Sequence, residues 1–84
     1  MYCIVDFSII PIGVEPSLSK YIAETLKILD KAGLTYKLHA KGTNIEGELG
    51  EVMAIIEKCI SRLHEIGVPR VDTMIHVGVI ILLF

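Results

Sequence analysis

The chain alternates between two periods of hydrophobic residues, and the places where the period changes divide it into six elements. Apolar residues at every second position predict a strand, and apolar residues three or four positions apart predict a helix. Residues 2–10, YCIVDFSII, are mostly β-branched or aromatic and are followed by Pro11 and Gly13. This composition and its stop predict a first strand with a turn after it.

A helix is predicted in the segment 15–33, because apolar residues recur there at helical spacing. They are Leu18, Ile22, Leu26 and Leu29, with Tyr21 and Thr25 beside them. Ser17 suits the N-cap, and Gly33 suits the position after the last turn. Residues 34–41, LTYKLHAK, then alternate apolar and polar side chains, which predicts a half-buried second strand.

The second half of the chain repeats this organisation. Residues 43–46 predict a third strand, and Gly42 suits a tight reversal before it. A second helix is predicted over residues 48–67, ending at Gly67. Its apolar face consists of Val52, Ile55, Ile56, Cys59, Ile60 and Leu63. Pro69 precedes a last strand that runs from residue 70 to about residue 82.

The element order is therefore βαββαβ, in a single domain covering residues 1–84. Both halves end a helix at glycine and start a strand, in the segments LDKAGLTYKL and LHEIGVPRV. This pseudo-repeat predicts an α+β, ferredoxin-like fold. Two right-handed crossovers place both helices on one face of a four-stranded antiparallel sheet of order 4-1-3-2. The other face is left open.

The strand period also predicts which side chains share the open face. If Val5, Phe7 and Ile9 point to the helices, and Thr73, Ile75 and Val77 belong to the core, a polar set remains for the other face. Its members are Asp6, Ser8, Asn44, Glu46, His39 and His76, accompanied by Lys37, Lys41, Ile4, Ile10 and Met74. We expect these hydrogen-bonding groups to form a binding surface. A solvated face is the alternative.

Composition and charge limit the kinds of partner and the cellular location that the sequence predicts. Hydrophobic residues make up 52% of the 84 residues, the mean hydropathy is +0.62 and the net charge is −2 without a basic cluster. Excess apolar surface predicts a homodimer or homotetramer, and the charge argues against nucleic acid. The apolar tail is shorter than the roughly 20 residues of a membrane span, and the N-terminus lacks a secretory signal. We therefore expect a cytoplasmic protein with reduced Cys3 and Cys59.

The sequence motifs give little support for phosphate binding, metal binding or catalysis. Gly42 and Gly47 have the spacing of a phosphate-binding loop, but Glu48 and Leu49 stand where lysine and a hydroxyl residue are required. His39, His76, Asp6 and Glu46 are ligand types that zinc accepts, yet no HxxH or CxxC spacing is present. No serine has a nucleophile-elbow sequence around it. The sequence predicts no enzyme, no metal site and no cofactor.

Four short motifs occur in a characteristic order, and each is weak alone. They are SIIPIG at residues 8–13, SLSKYI at residues 17–22, GTNIEG at residues 42–47 and GVPRVDTMI at residues 67–75. Together they resemble the small thiamine-binding protein family, relatives of the YkoF-like proteins that bind thiamine or hydroxymethylpyrimidine. The resemblance covers about residues 4–75. It implies a cytoplasmic, oligomeric, non-catalytic binder with a ferredoxin-like fold.

The resemblance also implies ligand-binding positions. Ser8, Thr43, Glu46 and Thr73 match the polar positions of the motifs, and a cationic thiazolium would favour a carboxylate such as Asp6. Two departures stand out: Lys41 replaces the family's usual methionine, and the chain ends in HVGVIILLF where a charged segment is usual. A structural or regulatory oligomerisation domain without a thiamine-like ligand is the alternative function.

Overall fold

The computed structural model describes residues 1–15 and 19–81. The elements are β1 (Tyr2–Ile12), α1 (Ser19–Ala32), β2 (Thr35–His39), β3 (Gly42–Glu48), α2 (Leu49–Glu65) and β4 (Arg70–Val79). The four strands form one antiparallel sheet in the order β2-β3-β1-β4. The predicted ferredoxin-like fold and strand order are thus confirmed. The predicted N-cap Ser17, with Leu18 and the last residues 82–84, lies outside the described residues.

Strand β1 is longer than the sequence predicts, and it pairs with β4 over a greater length than with β3. It pairs with β4 along almost its whole length, from Cys3 opposite Val79 to Ile12 opposite Arg70. Its pairing with β3 ends at Phe7 opposite Thr43. Pro11 lies within the strand and does not end it, contrary to the prediction. The C-terminal part of β1 therefore has a strand neighbour on the β4 side alone among the described residues.

The core lies between the two helices and the central strands. Alternate residues of β1 point into it, as the two-residue period requires. The main cluster of buried residues consists of Cys3, Val5, Phe7, Leu29, Ile45, Val52, Ile55 and Ile56. A second cluster, Tyr21 with Leu63 and Val68, closes the end of the sheet where β4 begins. The predicted apolar face of α2 is confirmed, with Ile60 partly buried and its other members buried.

The prediction that Ile75 and Val77 belong to the core is wrong. Both lie on the helix side of the sheet, opposite Phe7 and Val5, yet they are 37% and 41% exposed. The buried core residues come from α1, α2, β1 and β3, so the helices do not cover this part of edge strand β4. Ile22 on α1 is likewise exposed. The period of a strand thus predicts the side on which a residue lies, but the neighbouring layer decides its burial.

Gly42 has a different role from the predicted reversal. The turn between β2 and β3 is made by Ala40 and Lys41, and Gly42 is paired with His39 inside the sheet. A methyl group at residue 42 would come within 2.6 Å of the Phe7 carbonyl oxygen and 3.2 Å of the His39 ring. Glycine is needed here because two other groups occupy the space of a side chain.

Cys59 carries a pH-dependent part of the stability. Both cysteines are free and buried, which agrees with their prediction as buried thiols. Burial raises the pKa of the Cys59 thiol to about 11. Above pH 9 the unfolded chain releases this proton first, so the free energy of unfolding falls as the pH rises towards 11. Two pKa units correspond to about 2–3 kcal/mol.

We expect this loss in urea titrations between pH 8 and pH 11 under reducing conditions. The Cys59→Ala variant is less stable at every pH, but its stability should fall less steeply over the alkaline range. Hydrogen bonding to a neighbouring carboxylate raises the pKa of the Tyr2 and Tyr36 phenols, and both remain in the variant. The difference between the two curves therefore gives the contribution of the Cys59 thiol to the pH dependence of stability. Parallel curves would contradict the prediction.

Candidate functional site

The open face brings the predicted polar residues together in the register that their period implies. Asp6 on β1 lies between Asn44 on β3 and His76 on β4. Ser8 is opposite Met74 on β4. These residues come from three neighbouring strands, so their mutual positions are fixed by the hydrogen-bonded sheet. The sequence therefore predicted the sharing of this face correctly.

His39 joins this group from β2 by reaching across β3. Its Nε2 atom lies 2.7 Å from Asp6 Oδ1, although β2 and β1 are not adjacent strands. The imidazole ring passes over Gly42, which has no side chain to block it. The missing side chain at Gly42 is thus what permits the contact between His39 and Asp6.

The second ring nitrogen of His39 defines the direction of this hydrogen bond. The Lys41 backbone N–H donates to His39 Nδ1 over 3.3 Å. A nitrogen that accepts carries no proton, so Nε2 carries it and donates to Asp6. In this arrangement a neutral imidazole donates a hydrogen bond to a carboxylate oxygen of Asp6. Its other carboxylate oxygen has no hydrogen-bond partner among residues 1–15 and 19–81.

Tyr2 is a functional candidate that the sequence analysis did not identify. It lies on the same face as Glu46, one strand away and diagonal to it. Hydrogen bonding to the Glu46 carboxylate raises the pKa of the Tyr2 phenol. The alternation that placed Ile4 and Asp6 on the open face also places Tyr2 there, so this signal was available. Glu46 and Tyr2 form a second polar pair towards the start of β1.

A cavity of about 890 Å³ lies at the other end of the open face. It occupies the place where β3 begins and β1 continues beyond it, next to the Ala40–Lys41 turn. Five of the eight predicted site residues line it, namely Asp6, Ser8, His39, Thr43 and His76. Asn44, Glu46 and Thr73 do not line it. The structure thus divides the predicted site into a cavity group and a group outside the cavity.

Two threonines from the family motifs lie on the helix side of the sheet. Thr43 is opposite Phe7 and 9% exposed, and it reaches the cavity from within the core. Thr73 is opposite Ile9, and its hydroxyl oxygen is buried without a partner among the described residues. These two residues and the carboxylates therefore do not share one surface. Thr43 and Asp6 meet at the cavity because it opens to both sides of the sheet.

An apolar wall of the cavity was not predicted as part of any site. Its members come from α1, α2, β1 and β2 and include Tyr21, Ile22, Leu38, Leu63, Phe7 and Ile9. Their apolar spacing was interpreted as core, and Tyr21 and Leu63 are indeed buried. Ile22 and Leu38, in contrast, are 47% and 45% exposed. Exposed apolar residues beside a polar pair are typical of pockets for small organic ligands.

Two further findings bear on the predicted absences. Across residues 1–15 and 19–81, no group of three or more histidine, cysteine, aspartate or glutamate side chains is placed to hold a metal ion. Within the same residues, no helix is both long and apolar enough to cross a membrane.

Comparison with known proteins identifies similar chains. Residues 5–79 match the family model described as thiamine-binding protein. A UPF0045 protein of Synechocystis is 41% identical over 78 residues, which are 93% of this chain and 64% of that relative. UPF0045 protein YqgV of Bacillus subtilis is 39% identical over 79 residues, which are 88% of this chain and 76% of the relative. The chain thus spans 64% to 76% of the length of these relatives.

Solved structures show the same fold. Protein MJ1052 of Methanocaldococcus jannaschii has a TM-score of 0.84 and 28% identity, over 92% of this chain and 78% of that one. A Thermotoga maritima protein, described as a candidate thiamine biosynthesis/salvage protein, has a TM-score of 0.81 and 18% identity, over 94% and 84% of the two chains. The family model confirms the resemblance drawn from the four motifs, and the solved structures agree with the fold.

Proposed function

Because this chain belongs to the thiamine-binding protein family, we propose that it is a non-catalytic binder of thiamine or a related aminopyrimidine. The observation that carries the proposal is the cavity of about 890 Å³ beside the Asp6–His39 pair. This volume is within the range of about 300–1,000 Å³ that is typical of ligand pockets. Cytoplasmic residence remains part of the proposal.

Asp6 and Lys41 both line the cavity, so their formal charges balance, and the Asp6 carboxylate is the group that suits a cationic ligand. In the tautomer that the Lys41 N–H favours, the His39 ring is neutral and does not cancel the charge of the Asp6 carboxylate. The free oxygen of Asp6 then accepts a hydrogen bond from an amine, or lies near a thiazolium ring. Ser8 and His76 supply further donors and acceptors on the same wall. An aminopyrimidine joined to a cationic ring presents the groups that such a wall binds.

The apolar wall suits the flat faces of the rings. Leu38 and Ile22 line the cavity and are each nearly half exposed. A bound ring would remove this surface from water, at about 25 cal/mol per Å² of apolar surface buried. The polar wall would fix the orientation of the ring, and the apolar wall would supply most of the affinity.

A second copy of the chain is part of the proposal. The open face carries apolar side chains that remain exposed, namely Tyr2, Ile4, Ile10, Met74 and Ile80. Exposed apolar patches of this kind mark interaction surfaces. We infer that two sheets meet across their open faces, and that edges of β4 add further pairing to give a homotetramer. Residues of two chains would then enclose the cavity, since Met74 and His76 line it and lie on this face.

The alternative is an oligomerisation domain whose polar residues only set the register of the interface. The Asp6–His39 hydrogen bond favours this alternative, because a polar group that is already paired needs no ligand. Thermal shift of the purified protein separates the two functions. A ligand at 100 times its Kd adds about 2.7 kcal/mol to the free energy of unfolding. An oligomer whose melting temperature is unchanged by thiamine, its phosphates and hydroxymethylpyrimidine would favour the alternative.

We predict that Ser8→Ala weakens binding of hydroxymethylpyrimidine by about tenfold, the effect of one lost hydrogen bond of about 1.4 kcal/mol. Ser8 lines the cavity on the wall that carries Asp6. Titration calorimetry measures the change, and circular dichroism verifies that the variant is folded. Glu46→Ala is the comparison, because Glu46 lies on the open face outside the cavity lining.

The two variants together locate the ligand. A loss with Ser8→Ala and a smaller effect with Glu46→Ala would support the cavity. Equal losses would place the ligand across the whole open face, in agreement with the larger residue set predicted from sequence. If neither variant changes binding, the open face is not the site.

A further inference from the structure

Strand β1 changes from a central strand to an edge strand within its own length. Its pairing with β3 ends at Phe7, whereas its pairing with β4 continues for five more residues to Ile12. The side of β1 that faced β3 is therefore without a strand partner from Ser8 onwards, as far as residues 1–15 and 19–81 are concerned. This open edge lies in the cavity, which Ile9 and Pro11 help to line.

The direction of each main-chain group along β1 follows from hydrogen bonds at its start. The Met1 carbonyl accepts from the N–H of Leu49 on the β3 side, and the Tyr2 carbonyl accepts from the N–H of Ile80 on the β4 side. In an antiparallel strand the N–H and C=O of one residue face the same neighbour, and successive residues alternate. Odd-numbered residues of β1 therefore face β3.

The continuous register carries this alternation to the cavity. The Phe7 carbonyl oxygen lies against Gly42 of β3, as the alternation requires. Ile9 is the next odd-numbered residue, and β3 does not reach it. Its N–H and C=O thus face the cavity side by side, and neither has a hydrogen-bond partner in the part of the chain that the structure describes.

Pro11 supports this assignment independently. It is the following odd-numbered residue, and it lies within β1 opposite Val71 although it has no N–H to donate. Proline is accepted in a strand where the missing N–H would face an open edge. The N–H groups that hold β1 to β4 belong to the even-numbered residues and are unaffected. The edge at residues 9 and 11 is therefore built without a strand neighbour.

We propose that the main chain of Ile9 binds the aminopyrimidine edge of the ligand, as a neighbouring strand would. The Ile9 N–H donates to a ring nitrogen, and the adjacent exocyclic amine donates to the Ile9 carbonyl oxygen. Both bonds exist only for a ligand that presents an acceptor next to a donor on a flat ring. This inference rests on the proposed function and specifies the ligand class as heteroaromatic amines.

The test compares Ile9→Pro with Ile9→Ala. Both variants lose the same core side chain, but only proline also removes the N–H, and it does so without cutting a hydrogen bond to β4. We expect Ile9→Ala to lose the apolar contact of the side chain, and Ile9→Pro, which loses the same contact and the N–H, to bind hydroxymethylpyrimidine about tenfold more weakly than Ile9→Ala. Wild-type protein should bind the analogue without the amino group about tenfold more weakly as well.

Amide hydrogen exchange of the wild-type protein gives a second measurement that needs no variant. The Ile9 amide should exchange faster than those of Ser8 and Ile10 in free protein, and it should become protected when hydroxymethylpyrimidine saturates the site. Equal affinities of the two variants, or an Ile9 amide that ligand leaves unprotected, would overturn the inference while the proposed function stands. Wild-type protein that binds neither thiamine nor hydroxymethylpyrimidine would overturn both.

Discussion

Ile4→Glu is expected to convert the proposed homo-oligomer into a 9.3 kDa monomer. Ile4 is 45% exposed on the open face, and its cross-strand neighbour on β3 is Glu46. A carboxylate there would be buried without a cation if two open faces meet, which costs about 3–5 kcal/mol. A loss of this size raises the dissociation constant by about two to four orders of magnitude.

Light scattering after size exclusion, at micromolar concentration, measures this change. Met53→Glu is the matched control, because Met53 is 38% exposed on α2 at the opposite side of the molecule. The wild-type protein and Met53→Glu should have the same mass, a multiple of the monomer. Dissociation by Met53→Glu alone would move the interface to the helix side. If the wild-type protein is a monomer, the proposed assembly through the open faces is wrong.

Gly42→Ala is expected to destabilise the protein by about 1–3 kcal/mol, the usual cost of an added methyl group in a packed site. The methyl group would lie 2.6 Å from the Phe7 carbonyl oxygen, so β3 and β1 must move apart. It would also lie 3.2 Å from the His39 ring, so the ring that bonds Asp6 must shift by a few tenths of an ångström. Binding of hydroxymethylpyrimidine should therefore fall further than the stability change alone explains.

Gly78→Ala is the control for this prediction. Gly78 also lies in a strand and is on the open face opposite Ile4. A methyl group added at Gly78 would be 3.6 Å from the nearest atom, the Ile4 carbonyl oxygen. Alanine is favoured over glycine in a strand by about 0.5–1 kcal/mol. Urea denaturation should then find Gly78→Ala as stable as wild type or more so. If Gly42→Ala is equally harmless, the close packing at Gly42 does not matter.

The face assignments could be predicted from the sequence because a strand has a period of two residues. Asp6, Ser8 and His76 were placed on one surface by this rule, and the register of the sheet agrees. A short turn joins only β2 and β3, at Ala40 and Lys41, whereas β1 and β4 are connected to their sheet neighbours through helices. Between β1, β3 and β4 it is therefore the alternation of apolar and polar residues that indicates which face a residue shares.

The cavity could not be predicted from the sequence, because it depends on a difference between two strand lengths. Pro11 was interpreted as the end of β1, since proline cannot donate to a ladder. On an edge that has no partner this loss costs nothing, and β1 continues to Ile12. The prediction that the helix-side residues of β4 are buried failed for a related reason. Whether Val77 is covered depends on the reach of the helices, which no local pattern encodes.

The turn at Ala40 and Lys41 sets where β3 begins, and so it determines how much of β1 stays open. Two residues added to each arm of this hairpin would move the turn about 7 Å along β1, since a strand rises about 3.3 Å per residue. The longer hairpin would then pair with Ile9 and fill the space beside it. The upper limit on ligand size is thus a property of hairpin length. Insertions there would change the limit while every side chain of the core stayed in place.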